Sequence, residues 1–190
     1  MFDEQHRAEI DRLWTRKVQQ ETAGLPLSER HRNLEPVSAE FLHALVIGLG
    51  AKNLLEIGGS SGISTIALAS AAQQTQGKLI SLEIEPKRQA ESKETISRLG
   101  LDAFVDFRLG DATAVLPKLT GLEFVLIDCE KEDYIRFFDM LRMHPGAVVV
   151  ADNIISHRLT EYRIHVRDVP RVESMTLPIG KGLEITRIAG

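Results

Sequence analysis

Leu54-Leu55-Glu56-Ile57-Gly58-Gly59-Ser60-Ser61-Gly62-Ile63-Ser64-Thr65 is the stretch on which the reading of this chain turns. Leu54, Leu55 and Ile57 make a short apolar run suited to a parallel strand buried on both faces, and Ile63, Ile66, Ala67 and Leu68 open an amphipathic helical pattern. Between them lie Gly58, Gly59 and Gly62 with two serines. Glycine allows positive φ in a tight turn and a close approach of ligand to backbone, and the helix N-terminus that follows offers unpaired N–H groups. A phosphate-binding P-loop would carry a Lys-Ser/Thr pair after its last glycine, where Ile63-Ser64 stands. A dinucleotide fingerprint would read G-x-G-x-x-G, against G-G-S-S-G here. Glu56 brings a carboxylate to the strand tip, which disfavours a pyrophosphate and favours a ligand with an ammonium or sulfonium. A turn that only joins strand to helix is the alternative this segment leaves open by itself.

Composition narrows the classes. A chain of 190 residues suits one α/β domain, read as residues 1–190 with an N-terminal helix and loop over 1–35. Hydrophobic content of 43% and charged content of 26% are ordinary globular values. A net charge of -4 leaves no electrostatic footprint for nucleic acid or an anionic membrane. Cys129 is the only cysteine, so there is no intrachain disulfide, which fits a reducing cytoplasm. The segment from Met1 to Arg12 is too charged for a signal peptide, and no apolar run approaches membrane-spanning length.

Taken in order, residues 3–21 place Ile10, Leu13, Trp14 and Val18 at helical spacing, a stripe that needs the domain's own layers or a second subunit to cover it. Glu29 to Asn33 reads as a mobile loop, and a helix capped by Ser38 is expected to run to Gly48 or Gly50. After the glycine loop the helix continues to Ala72, and Lys78 to Glu83 forms a second strand. Glu83, about twenty residues beyond the loop, stands where Rossmann-type folds place an acidic acceptor for ribose hydroxyls. A helix from Lys87 to Leu99 and a strand from Ala103 to Arg108 lead to Gly110-Asp111-Ala112, with Asp111 an N-cap for a helix over Ala112 to Leu119. The run Phe124 to Ile127 ends in Asp128, a helix follows from Tyr134 to Arg142, and the strand Ala147 to Val150 ends in Ala151-Asp152-Asn153. Asp128 and the Asp152-Asn153 pair therefore share the carboxyl edge of the sheet, where open α/β folds bind ligands. A short helix over Leu159 to Arg167 precedes an antiparallel hairpin from Arg171 to Ile188. The fold expected is a single Rossmann-like α/β domain of seven mostly parallel strands.

Two carboxylates and an amide carbonyl form an all-oxygen set for Mg²⁺, Ca²⁺ or Mn²⁺, and Lys131 adds a cation that can point to the same edge. The E-x-G-x-x-x-G form at Glu56 to Gly62 resembles the first motif of S-adenosylmethionine-dependent methyltransferases. D-x-x-K at Asp128 and Lys131 with A-D-N at Ala151 to Asn153 narrows this. Together with Leu177-Pro178-Ile179-Gly180-Lys181-Gly182-Leu183 at the hairpin, it is similar to the cation-dependent O-methyltransferases of the catechol and caffeoyl-coenzyme A type. The resemblance implies a class I methyltransferase fold, S-adenosylmethionine as cofactor and a homodimer. It implies cofactor contacts at Glu56, Gly58, Gly59, Ser60, Gly62, Ser64, Glu83, Asp111, Ala112 and Asp128, with Asp111 and Ala112 at the adenine. It implies a metal on Asp128, Asp152 and Asn153, and catalysis by Lys131 with Asp128. The acceptor it implies is a small aromatic vicinal diol. A metal-independent methyltransferase and a non-catalytic cofactor-binding domain of the same fold are the alternatives.

Two departures stand out. Ile63 and Cys129-Glu130 differ from the residues usual in the family, and the segment after Asn153 is short, so a more open acceptor site is expected. His157, four residues past Asn153, is placed to face the acceptor, with a surface or capping role as the alternative.

Overall fold

Parallel strands buried on both faces need a helical layer on each side, and the chain supplies both. The computed structural model describes residues 2–189, so the two ends of the single-domain reading, residues 1 and 190, lie outside the described residues. The chain enters through α1 (Glu4–Thr22) and α2 (Pro36–Leu49), then alternates β1 (Asn53–Ile57), α3 (Ile63–Thr75), β2 (Lys78–Glu83), α4 (Pro86–Arg98) and β3 (Val105–Leu109). It continues through β4 (Leu122–Ile127), α5 (Tyr134–Met140), β5 (Met143–Ala151), α6 (Thr160–Asp168), β6 (Val172–Leu177) and β7 (Leu183–Ile188). Among the described residues these strands form one sheet of order β3-β2-β1-β4-β5-β7-β6. β1 to β5 are parallel, while β7 runs antiparallel to both β5 and β6. The order reverses between β2-β1 and β4, which opens a crevice at the carboxyl edge beside β1.

Side chains alternate across β1. Leu54 joins Ile10, Leu13, Leu42 and Ile66 in one core, and Leu55 and Ile57 join Phe137, Phe138 and Tyr162 in the other. The stripe of α1 is therefore covered in part by its own domain: Ile10 and Leu13 are buried and Trp14 packs against them, while Val18 stays exposed.

Several elements differ from the sequence expectation for local reasons. α3 is buried on every side from Ile63 to Ala72, not amphipathic, because it lies between the sheet and the two leading helices, and it runs on to Thr75. α2 starts at Pro36 with Glu35 as N-cap, so Ser38 sits inside the first turn and caps nothing. Asp111 does cap, accepting from Thr113 N–H at 2.8 Å, yet the residues beyond it form two 3-10 turns, Ala112–Ala114 and Leu116–Lys118. Pro117, lacking an N–H, prevents a continuous helix there. Asp102–Phe104 is likewise a 3-10 turn, which delays β3 to Val105. α5 ends at Met140, and β5 begins at Met143 with a register shift against β4 around Leu122. The loop expected to be mobile at 29–33 is pinned. His31 N–H donates to Gln20 Oε1 at 2.8 Å, Arg32 N–H to Ser60 Oγ at 3.0 Å and Asn33 Nδ2 to Ser61 Oγ at 2.8 Å.

Candidate functional site

The glycine loop bends where the sequence placed it. Gly58 and Gly62 have φ of +98° and +116°, and a Cβ on Gly58 would collide with the backbone carbonyl of Asp128. Only glycine lets the ends of β1 and β4 approach this closely. Beyond them a first cavity is walled by Gly58, Ser60, Glu83, Asp111, Ala112 and Asp128. Glu83 organises it: its carboxylate accepts from Ser60 N–H at 2.7 Å and from Ile84 and Glu85 N–H at 2.9 Å each. It joins the loop to the end of β2 and keeps lone pairs for a ligand hydroxyl.

Glu56, Gly59, Gly62 and Ser64 stand behind this wall. Strand alternation puts Glu56 on the α3 face with Leu54, where it is fully buried and accepts from Thr65 Oγ1 at 2.8 Å and Ser81 Oγ at 2.6 Å. Burial pushes its pKa up, opposed by the Ser64, Ser81 and Thr65 hydroxyls. A Cβ on Gly59 would lie 2.7 Å from Ser81 Oγ and 2.8 Å from Glu56 Oε2. Glu56 therefore shapes the loop from beneath, and the expected direct attraction of a ligand cation is not its position in the structure.

The second half of the site lies at the ends of β4 and β5. Asp128 N–H bonds Ile57 O at 2.9 Å and Asp152 N–H bonds Ile127 O at 3.1 Å, so the ladder itself sets the two acids side by side. Asn153, at φ +63°, turns its Nδ2 onto both carboxylates, 2.8 Å from Asp128 Oδ1 and 2.9 Å from Asp152 Oδ2. Asp152 is 3% exposed and its Oδ1 has no hydrogen-bond partner. Burial, then the charge of Asp128, pushes its pKa up to about 8. Among the described residues no three His, Cys, Asp or Glu side chains converge on one point; the set here is two carboxylates and an amide.

Lys131, on the 3-10 turn Lys131–Asp133, points back as expected. Its Nζ is 3.3 Å from Asp128 Oδ1 and 2.7 Å from Tyr134 Oη. Tyr134 in turn donates to Asp152 O at 3.2 Å, and burial holds its phenol well above the usual pKa. The phenol thus stays protonated and fixes the lysine. A second cavity opens on this side, and Asp128, Lys131, Asn153 and His157 all line it. His157 is exposed, with Nδ1 2.9 Å from Ser156 Oγ, and desolvation followed by Lys131 and Lys181 lowers its pKa. It is the one contribution to this wall from the short segment after Asn153. The rest of the cover comes from the N-terminal segment, including Leu27 and Arg30 to Asn33, and from Lys181 at the hairpin tip.

Sequence reasoning passed over that cover. Arg32 lines both cavities and pairs with Glu130 across the mouth, and Arg88, which lines the first, bonds Leu27 O at 3.2 Å. A charged loop followed by Asn33 was the available signal, but its partners Ser60, Ser61 and Glu130 are distant in the chain. Cys129 borders the first cavity with its thiol pKa raised by burial, which suits a wall residue and not a nucleophile.

A reversing parallel sheet closed by an antiparallel hairpin, with a glycine loop and Glu83 at the crevice, defines the class I methyltransferase fold. The same fold appears in an S-adenosylhomocysteine-bound methyltransferase of Podospora anserina, at TM-score 0.84 and 17% identity over 100% of this chain and 89% of that one. It appears also in a Bacillus cereus O-methyltransferase in complex with S-adenosylhomocysteine, at TM-score 0.77 and 25% identity over 95% and 90% of the two chains. The O-methyltransferase family model matches residues 4–188, and the chain belongs to that family. It is 37% identical to a catechol O-methyltransferase of Niastella koreensis over 140 residues, 70% of this chain and 61% of that enzyme. It is 28% identical to a caffeoyl-CoA O-methyltransferase of Medicago sativa over 179 residues, 78% of this chain and 71% of that enzyme. The match to the first of these relatives thus covers about 61% of that relative's own length.

Proposed function

We propose that the chain is an S-adenosylmethionine-dependent O-methyltransferase that methylates one hydroxyl of a small aromatic vicinal diol, with a divalent cation, Mg²⁺ before Ca²⁺ or Mn²⁺, held by Asp128, Asp152 and Asn153. The observation that carries this reading is the junction of the two cavities at Asp128, beside a buried Asp152 oxygen that has no partner. The donor's sulfonium and ammonium outweigh its carboxylate, and Glu83, Asp111, Asp128 and Glu130 give the first cavity the opposite sign. Glu83 takes the ribose hydroxyls, and Asp111 accepts from the adenine amine with the oxygen not used by Thr113.

The donor set fits a hard cation. Two carboxyl groups share a buried edge, one oxygen is orphaned, and a half-turn of the Asn153 amide brings its oxygen to the carboxyl groups in place of Nδ2. When bound, such a cation supplies Lewis acidity that lowers the pKa of an acceptor hydroxyl. That help matters, because a phenol near pKa ~10 is ionised roughly once in a thousand at neutral pH. Lys131, held in place by Asp128 and Tyr134, receives or steers the hydroxyl proton and passes it toward solvent at the cavity mouth. The acceptor oxygen bonds to the methyl carbon as the carbon–sulfur bond breaks, and that electron pair stays on sulfur. The protein's share is alignment across the Asp128 junction and compensation of charge.

The test is transfer of labelled methyl from S-adenosylmethionine to catechol, with Mg²⁺ and with EDTA, on wild type and Lys131→Met. Turnover that EDTA abolishes and Mg²⁺ restores is expected, with Lys131→Met about a hundredfold slower. Turnover indifferent to EDTA would replace this reading with the metal-independent one. Cofactor binding without turnover on any diol would leave a binding domain.

A further inference from the structure

The second cavity carries more positive charge than its own acids answer. Lys17 is paired with Glu21 at 2.8 Å, Lys131 with Asp128 at 3.3 Å, and Arg32 with Glu130. Among the described residues Lys181 and Arg30 line the same cavity and enter no ion pair; both act at longer range on Glu21, which Lys17 already pairs, and Arg30 uses its Nε on the backbone carbonyl of Leu25. We infer that Lys181 and Arg30 form a subsite for an anionic substituent of the methyl acceptor, a carboxylate, so that the acceptor is an acidic diol and not a neutral one. The inference rests on the acceptor reading given above and adds to it the charge of the substrate.

Both cations are held by the elements that build the reacting edge. Lys181 sits at the turn between β6 and β7, and its carbonyl accepts from Ile155 and Ser156 N–H at 3.0 and 3.1 Å, while Gly182 O accepts from Ile154 N–H at 2.9 Å. Those donors follow Asn153 directly, so the hairpin tip and the carboxylate edge form one unit. On the other side of the tip, Gly180 packs against Glu35 and Ser38 at the start of α2 so closely that a Cβ would collide with both. Arg30 lies in the loop that Arg32 and Asn33 tie to Ser60 and Ser61 of the glycine loop. Two partly buried cations on anchored backbone lose little freedom when they meet an anion, which is the condition for a selective contact. Charge left uncompensated in a cavity mouth also raises the local concentration of ligands of the opposite sign.

The experiment compares kcat/KM for a dihydroxybenzoate and the matching dihydroxybenzyl alcohol, both with vicinal hydroxyls, in wild type, Lys181→Gln, Arg30→Gln and Lys181→Glu. Wild type is expected to favour the acid about tenfold or more, the contribution of one charge-assisted hydrogen bond. Each neutral variant should cut that ratio several-fold, and Lys181→Glu should turn the preference toward an aminoethyl diol. A ratio that is the same in wild type and in both neutral variants overturns the subsite. A dihydroxyphenyl phosphonate, run beside the benzoate, tells whether the subsite takes any anion or a carboxylate in particular. Should no diol be methylated, the function reading fails first. The subsite is then read by calorimetry of dihydroxybenzoate on protein saturated with S-adenosylhomocysteine, where binding unweakened by Lys181→Gln and Arg30→Gln overturns it as well.

Discussion

The two cavities meet at Asp128 and Arg32 and are opposite in charge. Glu83, Asp111, Asp128, Glu130 and Asp133 outnumber Arg32 and Arg88 around the first. Lys17, Arg30, Arg32, Lys131 and Lys181 outnumber Glu21 and Asp128 around the second. An acid-lined chamber suits a cationic donor and a base-lined one suits the electron-rich or anionic acceptor proposed above, which would bring reactants of opposite sign to a shared wall. Asp128 and Arg32, common to both, mark that wall. On the proposed function, the difference teaches that charge, and not shape alone, sorts the two ligands.

Removing the shared acid is the harshest way to break this division. Asp128→Asn keeps the volume and the backbone bond to Ile57 O but takes the charge from both chambers and the partner from Lys131. Turnover is expected to fall about a thousandfold, and S-adenosylhomocysteine affinity about tenfold. A variant within tenfold of wild type in initial rate would mean that Asp128 is not the junction of the reaction.

A milder contrast sharpens the first chamber. Glu83→Gln sets an amide NH2 against either the Ser60 donor or the Ile84 and Glu85 donors, and S-adenosylhomocysteine affinity should drop about tenfold by calorimetry. Glu56→Gln keeps an oxygen for Thr65 and Ser81, and places its NH2 where Oε1 has no partner, so affinity should stay within about twofold. The reverse order would return Glu56 to the position of a direct ligand.

That pair also shows what could be read from the sequence. The strand–glycine loop–helix unit and the acids at strand ends were legible, because they depend on short spacing and on the edge rule of parallel sheets. Glu56 misled because a motif gives a residue's place along the strand but not which face it takes; one step of alternation hides it under α3. Ser38 and the segment after Asp111 misled in the same local way, where Pro36 and Pro117 overrode a capping serine and a helical pattern. The second chamber was the least legible. Arg30 and Arg32 lie about a hundred residues before Asp128, and Lys181 lies about thirty after Asn153, and nothing in the local pattern of a charged loop or a Gly-Lys-Gly turn tells which cavity it faces.

The mildest expected effect concerns Asp152, which is buried beside Asp128 behind the boundary of the two chambers and is best followed through stability. Its pKa is raised from the model-compound value of 3.8 to about 8, by burial and then by Asp128. Between those values the folded protein holds a proton that the unfolded chain has released, so stability is greatest below the unfolded value and declines as pH rises toward 8. His31, His43 and His157 act with the opposite sign: burial lowers each, the unfolded chain binds protons that the folded one refuses, and stability is lost as pH falls below about 6.5. The windows overlap below pH 6.5 with opposite sign, which leaves pH 6.5 to 8 to Asp152 alone among these groups. In the presence of a chelator the melting temperature of the wild type should fall across that window by roughly 3 °C per pH unit. Asp152→Asn, which resembles the protonated acid in shape, should flatten the profile and remain the more stable protein at pH 8. Mg²⁺ should restore wild type at pH 8 and leave the variant unmoved. An identical fall in both proteins would show that the charge of Asp152 is not confined as the structure places it, and the boundary between the chambers would then have to be redrawn around Asp128 alone.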